Sequence, residues 1–429
     1  MSLTKESKQY YEKTERSHRN AKGQFFTEEE VKDLALKDLH IPSGSKILEN
    51  SAGSGEFIKS IFNINNDVVI DGYDIEPGLV DICNKVYPNA NVVCQDFLTM
   101  QHEPMYDFVI GNPPYFEMKK KDNEQMIDKY SSVISGRANI YSMFFKASID
   151  SLKAGGQLIY VVPTSMNNGS YFKKLREFII SNCNIDDITL LGDSMFKNVQ
   201  QNTMIIKLTK LKDDQVNDGK FVFVTGEVNI FSTKCDDLDQ MFSNGKTLEE
   251  LGFEVYTGNL VWNQQKKFMS NNKSHTPLIW AKNIEDGKLN LCNPSIEKHK
   301  EKGQYVSEYN TILKRGEFCI SLAPTQKFRK ADIKLPVEKL TKKSIVLNRI
   351  TGTGSSAKIR AAIVDIPTGY YTENHVNYII RRDDCKYTLE QLLVSLRSNE
   401  TLEFIRMLTG NTQISKTELQ KIIPFSLDE

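Results

Sequence analysis

Histidine and cysteine are scarce in this chain and neither is grouped. Among 429 residues there are seven cysteines and six histidines. The cysteines stand singly at Cys83, Cys94, Cys183, Cys235, Cys292, Cys319 and Cys385, with no Cys-x-x-Cys pair. A structural or catalytic metal site needs several such ligands at short spacing, so no metal is expected, and scattered thiols suit a reducing, cytoplasmic setting. No apolar run reaches the length of a membrane span, and the polar, mixed-charge stretch from Met1 to Asn20 does not read as a signal peptide. A membrane partner is therefore not expected. Also lacking are internal repeats, low-complexity tracts, and the Gly-x-Gly-x-x-Gly run that cradles a pyrophosphate.

Net charge is absent too, since 55 Lys+Arg balance 55 Asp+Glu. The balance hides an asymmetry: residues 1–240 carry a surplus of seven acidic side chains and residues 241–429 a surplus of seven basic ones. A basic half joined to an acidic half suits a second half that faces a polyanion, although an unevenly charged solvated surface gives the same count.

The length allows two or three domains. In the first half, strand-like and helix-like segments alternate. Strands are expected at Lys46–Glu49, Val68–Asp74, Asn91–Cys94, Tyr106–Ile110 and Gln157–Val162. Helices are expected at Phe57–Phe62, Leu79–Val86, Asn139–Leu152 (stopped by Ala154-Gly155-Gly156) and Tyr171–Ser181. Two last strands, Ile188–Leu191 and Asn202–Leu208, lie close enough in sequence to be antiparallel. This alternation implies an α/β fold, a mostly parallel sheet with helices on both faces. Polar breaks at residues 211–220 and at Ser243-Asn244-Gly245-Lys246 place a boundary near 230–245, giving domains 1–240 and 241–429. The second half has short strands, many loops and a helical finish from Leu389 to Leu408.

The most informative stretch is Asn112-Pro113-Pro114-Tyr115, which closes the apolar strand Tyr106–Ile110 through Gly111. Two prolines end the strand and stiffen the turn. An amide, two carbonyls and an aromatic ring are left at the strand's carboxyl end, where open α/β sheets bind ligands. Paired acceptors hold an amino group and the ring stacks on a flat heterocycle, as methylation of a planar amine requires. Upstream, Glu49-Asn50-Ser51-Ala52-Gly53-Ser54-Gly55 is a glycine turn between strand and helix, where the backbone can approach a ligand. Asp74 ends the second strand, as ribose-binding carboxylates do. Asp96-Phe97 ends the third. Without a third glycine, a nucleoside lacking phosphates is the expected ligand.

Together with Gly23-Gln24-Phe25-Phe26-Thr27, these motifs occur in an order that resembles the γ-class DNA adenine-N6 methyltransferases of restriction systems. The specific resemblance covers about residues 20–210. A looser one to target-recognition domains is carried by Tyr256-Thr257-Gly258 with Val261-Trp262-Asn263, by Glu373-Asn374-His375-Val376-Asn377, and by Gly410-Asn411-Thr412-Gln413-Ile414-Ser415-Lys416 with Ile422-Ile423-Pro424. The resemblance implies a Rossmann-like methyltransferase sheet with an antiparallel last strand, a C-terminal α+β target-recognition domain, S-adenosyl-L-methionine as cofactor, and double-stranded DNA as partner. It further implies an adenine-specific enzyme that flips its target base and protects the site from a cognate restriction endonuclease.

Position by position, the resemblance implies that Thr27 lies against the methionine part of the cofactor. Glu49 and the backbone of Ala52, Gly53 and Gly55 hold the amino acid end, Asp74 the ribose, and Ile75, Asp96 and Phe97 the adenine. Asn112 and the Pro113 carbonyl accept from the target amine, while Tyr115 and Phe196 stack on the base. Asn50 and Ser51 depart from the family's more common Pro and Ala or Cys, and no role passes to Lys197. For DNA contact the basic candidates are Lys327, Arg329, Lys330, Arg349, Lys358 and Arg360, around the turn Thr351-Gly352-Thr353-Gly354-Ser355-Ser356.

Simpler readings of single motifs stay open. Thr27 can be the N-cap of a helix opening at Glu28-Glu29-Glu30 with Phe25-Phe26 as a staple, Asp74 a helix cap, and Phe196 a core aromatic. Three other functions compete. Methylation of a ribosomal RNA guanine or a protein glutamine also uses the Asn-Pro-Pro-Tyr turn. A non-catalytic DNA specificity subunit would not need the complete amine site of the first half. A fused endonuclease would need a signature that is not visible.

Overall fold

Each central strand of the first half carries apolar side chains on both faces, as strands covered by helices on two sides must. The computed structural model describes residues 10, 12, 14, 27–191, 202–285, 287–291, 302–315, 328–349, 359–408 and 414–427. It divides into two compact units, Met1–Asp236 and Asp237–Glu429.

In the first unit the order is α1 (Glu29–Leu36), β1 (Lys46–Glu49), α2 (Glu56–Ile64), β2 (Val69–Asp74), α3 (Pro77–Val86), β3 (Asn91–Cys94), β4 (Tyr106–Gly111), α4 (Ile140–Ser151), β5 (Leu152–Pro163), α5 (Lys173–Asn182), β6 (Cys183–Leu190) and β7 (Thr203–Lys210). The seven strands form one Rossmann-like sheet in the order β3-β2-β1-β4-β5-β7-β6. Pairings from β3 through β5 are parallel, and β7 runs antiparallel to both β5 and β6.

Alternation along the strands builds two cores. Leu48, Val109, Leu158, Tyr160, Val162 and Ile206 face α4 and α5, packing with Met143, Phe145 and Leu175. Their neighbours Ile47, Phe108, Ile110, Ile159, Val161 and Ile205 point the other way and pack with Val31 of α1, Phe57 and Ile61 of α2 and Val80 of α3. Phe57, Ile58 and Ile61 are at most 2% exposed. Burial of such side chains stabilises by about 1.5–3 kcal/mol each, which outweighs any weakness of a nine-residue helix on its own.

The expected stop at Ala154-Gly155-Gly156 lies elsewhere. Helix α4 ends at Ser151, and β5 already runs from Leu152, so these residues sit inside the strand. The pairing of β4 with β5 shifts register between Tyr106 and Phe108, and Gly155 takes the left-handed conformation at φ 80°. The glycines serve an irregularity in the sheet rather than a helix end.

In the second unit, β8 (Phe253–Thr257), β9 (Ser344–Asn348), β10 (Ala361–Val364) and β11 (Val376–Arg381) form an antiparallel sheet in the order β8-β11-β9-β10. The helical finish consists of two helices, α6 (Leu389–Leu396) and α7 (Asn399–Leu408), followed by α8 (Lys416–Lys421). The break falls where the Ser398 hydroxyl accepts from Thr401 N at 3.1 Å and caps the second helix.

Candidate active site

The carboxyl ends of β1 to β4 open on one cavity of about 340 Å³, at the point where strand order reverses between β1 and β4. Glu49 to Gly53 line it from the β1 turn, Asp74 and Ile75 from β2, Gln95, Asp96 and Phe97 from β3, and Asn112, Pro114 and Phe116 from β4. Glu56 and Phe57 of α2, Leu79 of α3, and Ile140 and Phe144 of α4 complete it, with Thr27 at one side.

The turn after β1 depends on two left-handed glycines. Gly53 has φ 54° and borders the cavity. Gly55 has φ 84° and does not border it. A Cβ there would lie 2.7 Å from the Tyr87 ring and 2.8 Å from Cys83 Sγ, so Gly55 lets α3 pack closely on the start of α2. The Gly53 amide donates to Asp74 Oδ2 at 2.9 Å, and Glu76 N donates to Asp74 Oδ1 at 2.9 Å. Asp74 thus braces the turn before α3 and the β1 turn together.

Carboxylates dominate the polar part. Glu49 is 2% exposed, and its Oε2 is buried with no hydrogen-bond partner. Burial, then the nearby Glu56 carboxylate, hold Glu49 well above the ordinary carboxylate range. Burial also raises Glu56, against the Ser54 hydroxyl that donates to it at 2.5 Å. Asp74 is raised by burial as well, opposed by its bonds from Glu76 and Gly53. Such a cavity favours a cation and repels phosphates. S-adenosylmethionine carries an ammonium and a sulfonium, and the orphan oxygen of Glu49 fits the former. On the apolar side, Phe97 is 3% exposed and meets Tyr73 and Phe144 at ring distances of 5.6 and 6.3 Å. Asp96 accepts from Leu98 N through Oδ1 at 3.0 Å, and Ile75 is exposed.

Asn112 is held at both ends. Its Nδ2 donates to Thr27 Oγ1 at 3.1 Å, and its main-chain carbonyl accepts from Ser51 Oγ at 3.2 Å. Its Oδ1 faces the Tyr115 hydroxyl, whose single hydrogen is shared between that oxygen and the Val161 carbonyl 2.7 Å away. Tyr115 and Pro113 do not line the cavity. The Tyr115 ring turns inward, edge-on to Tyr141 at 6.1 Å, and burial pushes its hydroxyl pKa up, so it remains a donor. Thr27 is not a helix cap: the N-cap of α1 is Glu28, and the Thr27 hydroxyl serves Asn112 instead.

Sequence reasoning gave no role to Asn50, Ser51, Glu56, Gln95, Phe116 or Phe144, all of which border the cavity. Asn50 donates to Ser148 Oγ at 2.6 Å and to Tyr160 OH at 2.7 Å, so the unusual Asn-Ser pair ties the β1 turn to α4, β5 and the Asn112 carbonyl. The departure from Pro was the signal. Phe116 directly follows the motif.

Phe25, Phe26, Phe196, Lys327 and Lys358 lie outside the described residues. Arg329 and Lys330 fall on a hairpin strand, Phe328–Lys334, opposite Lys314 and Leu313 of Tyr309–Arg315. Arg349 donates from Nη1 to the Asn374 carbonyl at 3.1 Å, and Arg360 is exposed. Among the described residues no group of His, Cys, Asp and Glu could hold a metal ion, and no helix is long and apolar enough to cross a membrane.

Residues 50–196 match the family described as Eco57I restriction-modification methylase. Type II methyltransferase M.CvrRI of Paramecium bursaria Chlorella virus XZ-6E is 23% identical over 422 residues, 98% of either chain. Modification methylase CviBIII of Paramecium bursaria Chlorella virus NC1A is 26% identical over 66% of this chain and 71% of its own. Type II methyltransferase M.HincII of Haemophilus influenzae is 28% identical over 46% of this chain and 39% of its own. Residues 50–196 thus form a restriction-modification methylase domain, with S-adenosylmethionine as its cofactor.

Proposed function

We propose that this chain methylates N6 of adenine at a specific site in duplex DNA, with residues 1–240 as the catalytic domain and residues 241–429 as the target-recognition domain. The observation that supports this reading is the Asn112 amide, whose Nδ2 donates to Thr27 and whose Oδ1 is its accepting end, on the wall of an acidic, nucleoside-sized cavity.

Glu49 and Glu56 face the ammonium of the cofactor, Asp74 its ribose, and Asp96, Phe97 and Ile75 its adenine. Bound there, S-adenosylmethionine supplies an electrophilic methyl group on a sulfonium leaving group. Adenine N6 is a poor nucleophile, because its lone pair is delocalised into the ring. Asn112 Oδ1 and the Pro113 carbonyl accept its two N–H bonds, favour a more tetrahedral nitrogen, and stabilise positive charge as the new bond forms. Asn112 is neutral and acts as an acceptor, not as a base, and the proton leaves after transfer. Holding the amine in line with the methyl group accounts for much of the remaining acceleration.

N6 is inaccessible inside a duplex, so the base must be extruded at a cost of a few kcal/mol. Stacking on Tyr115 and Phe196, at ~1–3 kcal/mol per base, offsets part of that. For Tyr115 this requires the ring to leave its inward position, which also frees Asn112 Oδ1. The basic second unit supplies the DNA contacts, with Lys327, Arg329, Lys330, Arg349, Lys358 and Arg360 as candidates. A restriction endonuclease acting on the same site is the expected partner.

Sequencing of modified bases in DNA from cells expressing the chain tests the reading. N6-methyladenine at a single short consensus is expected, lost with Asn112→Ala. Methylated cytosine, or methylation confined to RNA or protein, would overturn it.

A further inference from the structure

Three motifs of the second unit that are far apart in sequence meet at one point. Thr257 Oγ1 donates to Asn377 Oδ1 at 2.9 Å, and Asn377 Nδ2 donates to the Ile414 carbonyl at 3.2 Å. Ile414 N donates to the Arg349 carbonyl at 2.9 Å, and Arg349 N to the His375 carbonyl at 3.1 Å. The turn from Glu373 to Val376 is pinned from several sides. Glu373 N donates to Ile279 O, Asn374 N to Leu260 O, and Gly258 N to Val376 O, at 2.8 to 3.1 Å. A Cβ on Gly258 would lie 2.2 Å from the Glu373 carbonyl, so the turn rests directly on a bare backbone.

What this rigid turn presents is His375. Its side chain is half exposed, whereas that of Glu373 is 2% exposed. Glu373 Oε2 accepts from His375 N at 2.9 Å, and Oε1 lies 2.8 Å from His375 Nδ1. A buried carboxylate is costly, and here it holds one surface imidazole in a single orientation. Because a carboxylate only accepts, Nδ1 must carry the ring proton. In the neutral ring, Nε2 is then a lone-pair acceptor on the far side from Glu373. An acceptor does not bind phosphate oxygen. In the grooves of DNA it matches an N–H donor on a base edge, namely adenine N6 or cytosine N4 in the major groove or guanine N2 in the minor groove.

We propose that His375, positioned by Glu373, is a specificity-determining residue that accepts a hydrogen bond from an exocyclic amino group of one base in the recognition site. The proposal rests on the DNA reading above. Neither residue belongs to the cofactor cavity, so both can be changed without touching the methyl-transfer site.

Methylation maps of DNA from cells expressing the full chain and its His375→Ala variant decide the matter. The wild-type consensus should contain a base pair whose discrimination falls about tenfold or more in His375→Ala. Glu373→Gln, which allows either ring tautomer, should relax the same position to a smaller degree. S-adenosylmethionine affinity and the melting temperature control for folding. An unchanged consensus in His375→Ala would overturn the proposal. So would a loss of affinity that is uniform across sequences and reduces the salt dependence by about one ion, the signature of a phosphate contact. If the wild-type chain marks no DNA site, the DNA reading falls and this contact with it, which distinguishes that failure from the first.

Discussion

The side-chain nitrogen of Asn112 donates to the Thr27 hydroxyl across 3.1 Å, although the two residues are 85 positions apart. With Nδ2 on Thr27, Oδ1 is the accepting end of the amide and faces the Tyr115 hydroxyl. A primary amide can rotate to present either oxygen or nitrogen, and only the oxygen can hold an amino group.

Thr27→Val keeps the shape and removes that acceptor. Turnover should fall by about tenfold, the worth of one hydrogen bond to a catalytic group, with S-adenosylmethionine affinity little changed. Asn112→Ala should abolish turnover while duplex DNA still binds. Single-turnover rates beside equilibrium titrations separate the two effects, and full activity of Asn112→Ala would eliminate its role as acceptor.

Glu49 couples cofactor binding to pH. Its pKa in the folded chain is raised by burial and by Glu56, above its value in the unfolded chain. Its contribution to the stability of the cofactor-free chain is therefore full below the ordinary carboxylate range and is lost as pH rises through the raised value. A bound ammonium favours the ionised form, so the rise in melting temperature caused by S-adenosylmethionine should grow with pH across that window. Glu49→Gln should reduce this growth and weaken cofactor binding by about tenfold or more, as expected for a charge-assisted bond. A melting shift with the same pH slope in the variant would refute the coupling.

Tyr115 holds Asn112 Oδ1 and the Val161 carbonyl through one hydroxyl. Tyr115→Ala should weaken capture of the target base and leave cofactor affinity intact. Fluorescence of 2-aminopurine at the target position reports base extrusion, and calorimetry reports the cofactor. Loss of cofactor affinity instead would move Tyr115 into a different role.

Gly53 and Gly55 should respond differently to alanine. At Gly53 the added Cβ meets nothing closer than 3.7 Å, and the cost is backbone strain, roughly 1–2 kcal/mol. At Gly55 the same strain is joined by contacts at 2.7 and 2.8 Å with Tyr87 and Cys83, so Gly55→Ala should destabilise by more than Gly53→Ala. Denaturant unfolding ranks the two, and equal stabilities would show that the helices yield freely.

Much of the fold was legible because it rests on local patterns. The alternation of Ile47-Leu48, Phe108-Val109-Ile110 and Ile159-Tyr160-Val161 over two faces follows from strand periodicity, and each of these strands sits where its apolar run predicts. The helix stop expected at Gly155 was misplaced, and the break at Ser398 inside the helical finish was not read from the sequence. A glycine reads alike at a helix end and at an irregularity in a strand, and a serine cap competes with a helical pattern that continues past it.

By itself, the sequence determined that two strands end in Glu49 and Asp74 and that Asp96 and Asn112 closely follow the ends of two others, because strand, turn and proline signals depend on a few neighbouring residues. Tertiary structure alone decided that the Asn112 amide meets Thr27, that Ser51 reaches its carbonyl, that Glu49 keeps a bare oxygen beside Glu56, and that Tyr115 points inward. Those relations join segments set side by side by parallel crossovers and strand order, and no local periodicity encodes a partner so far along the chain.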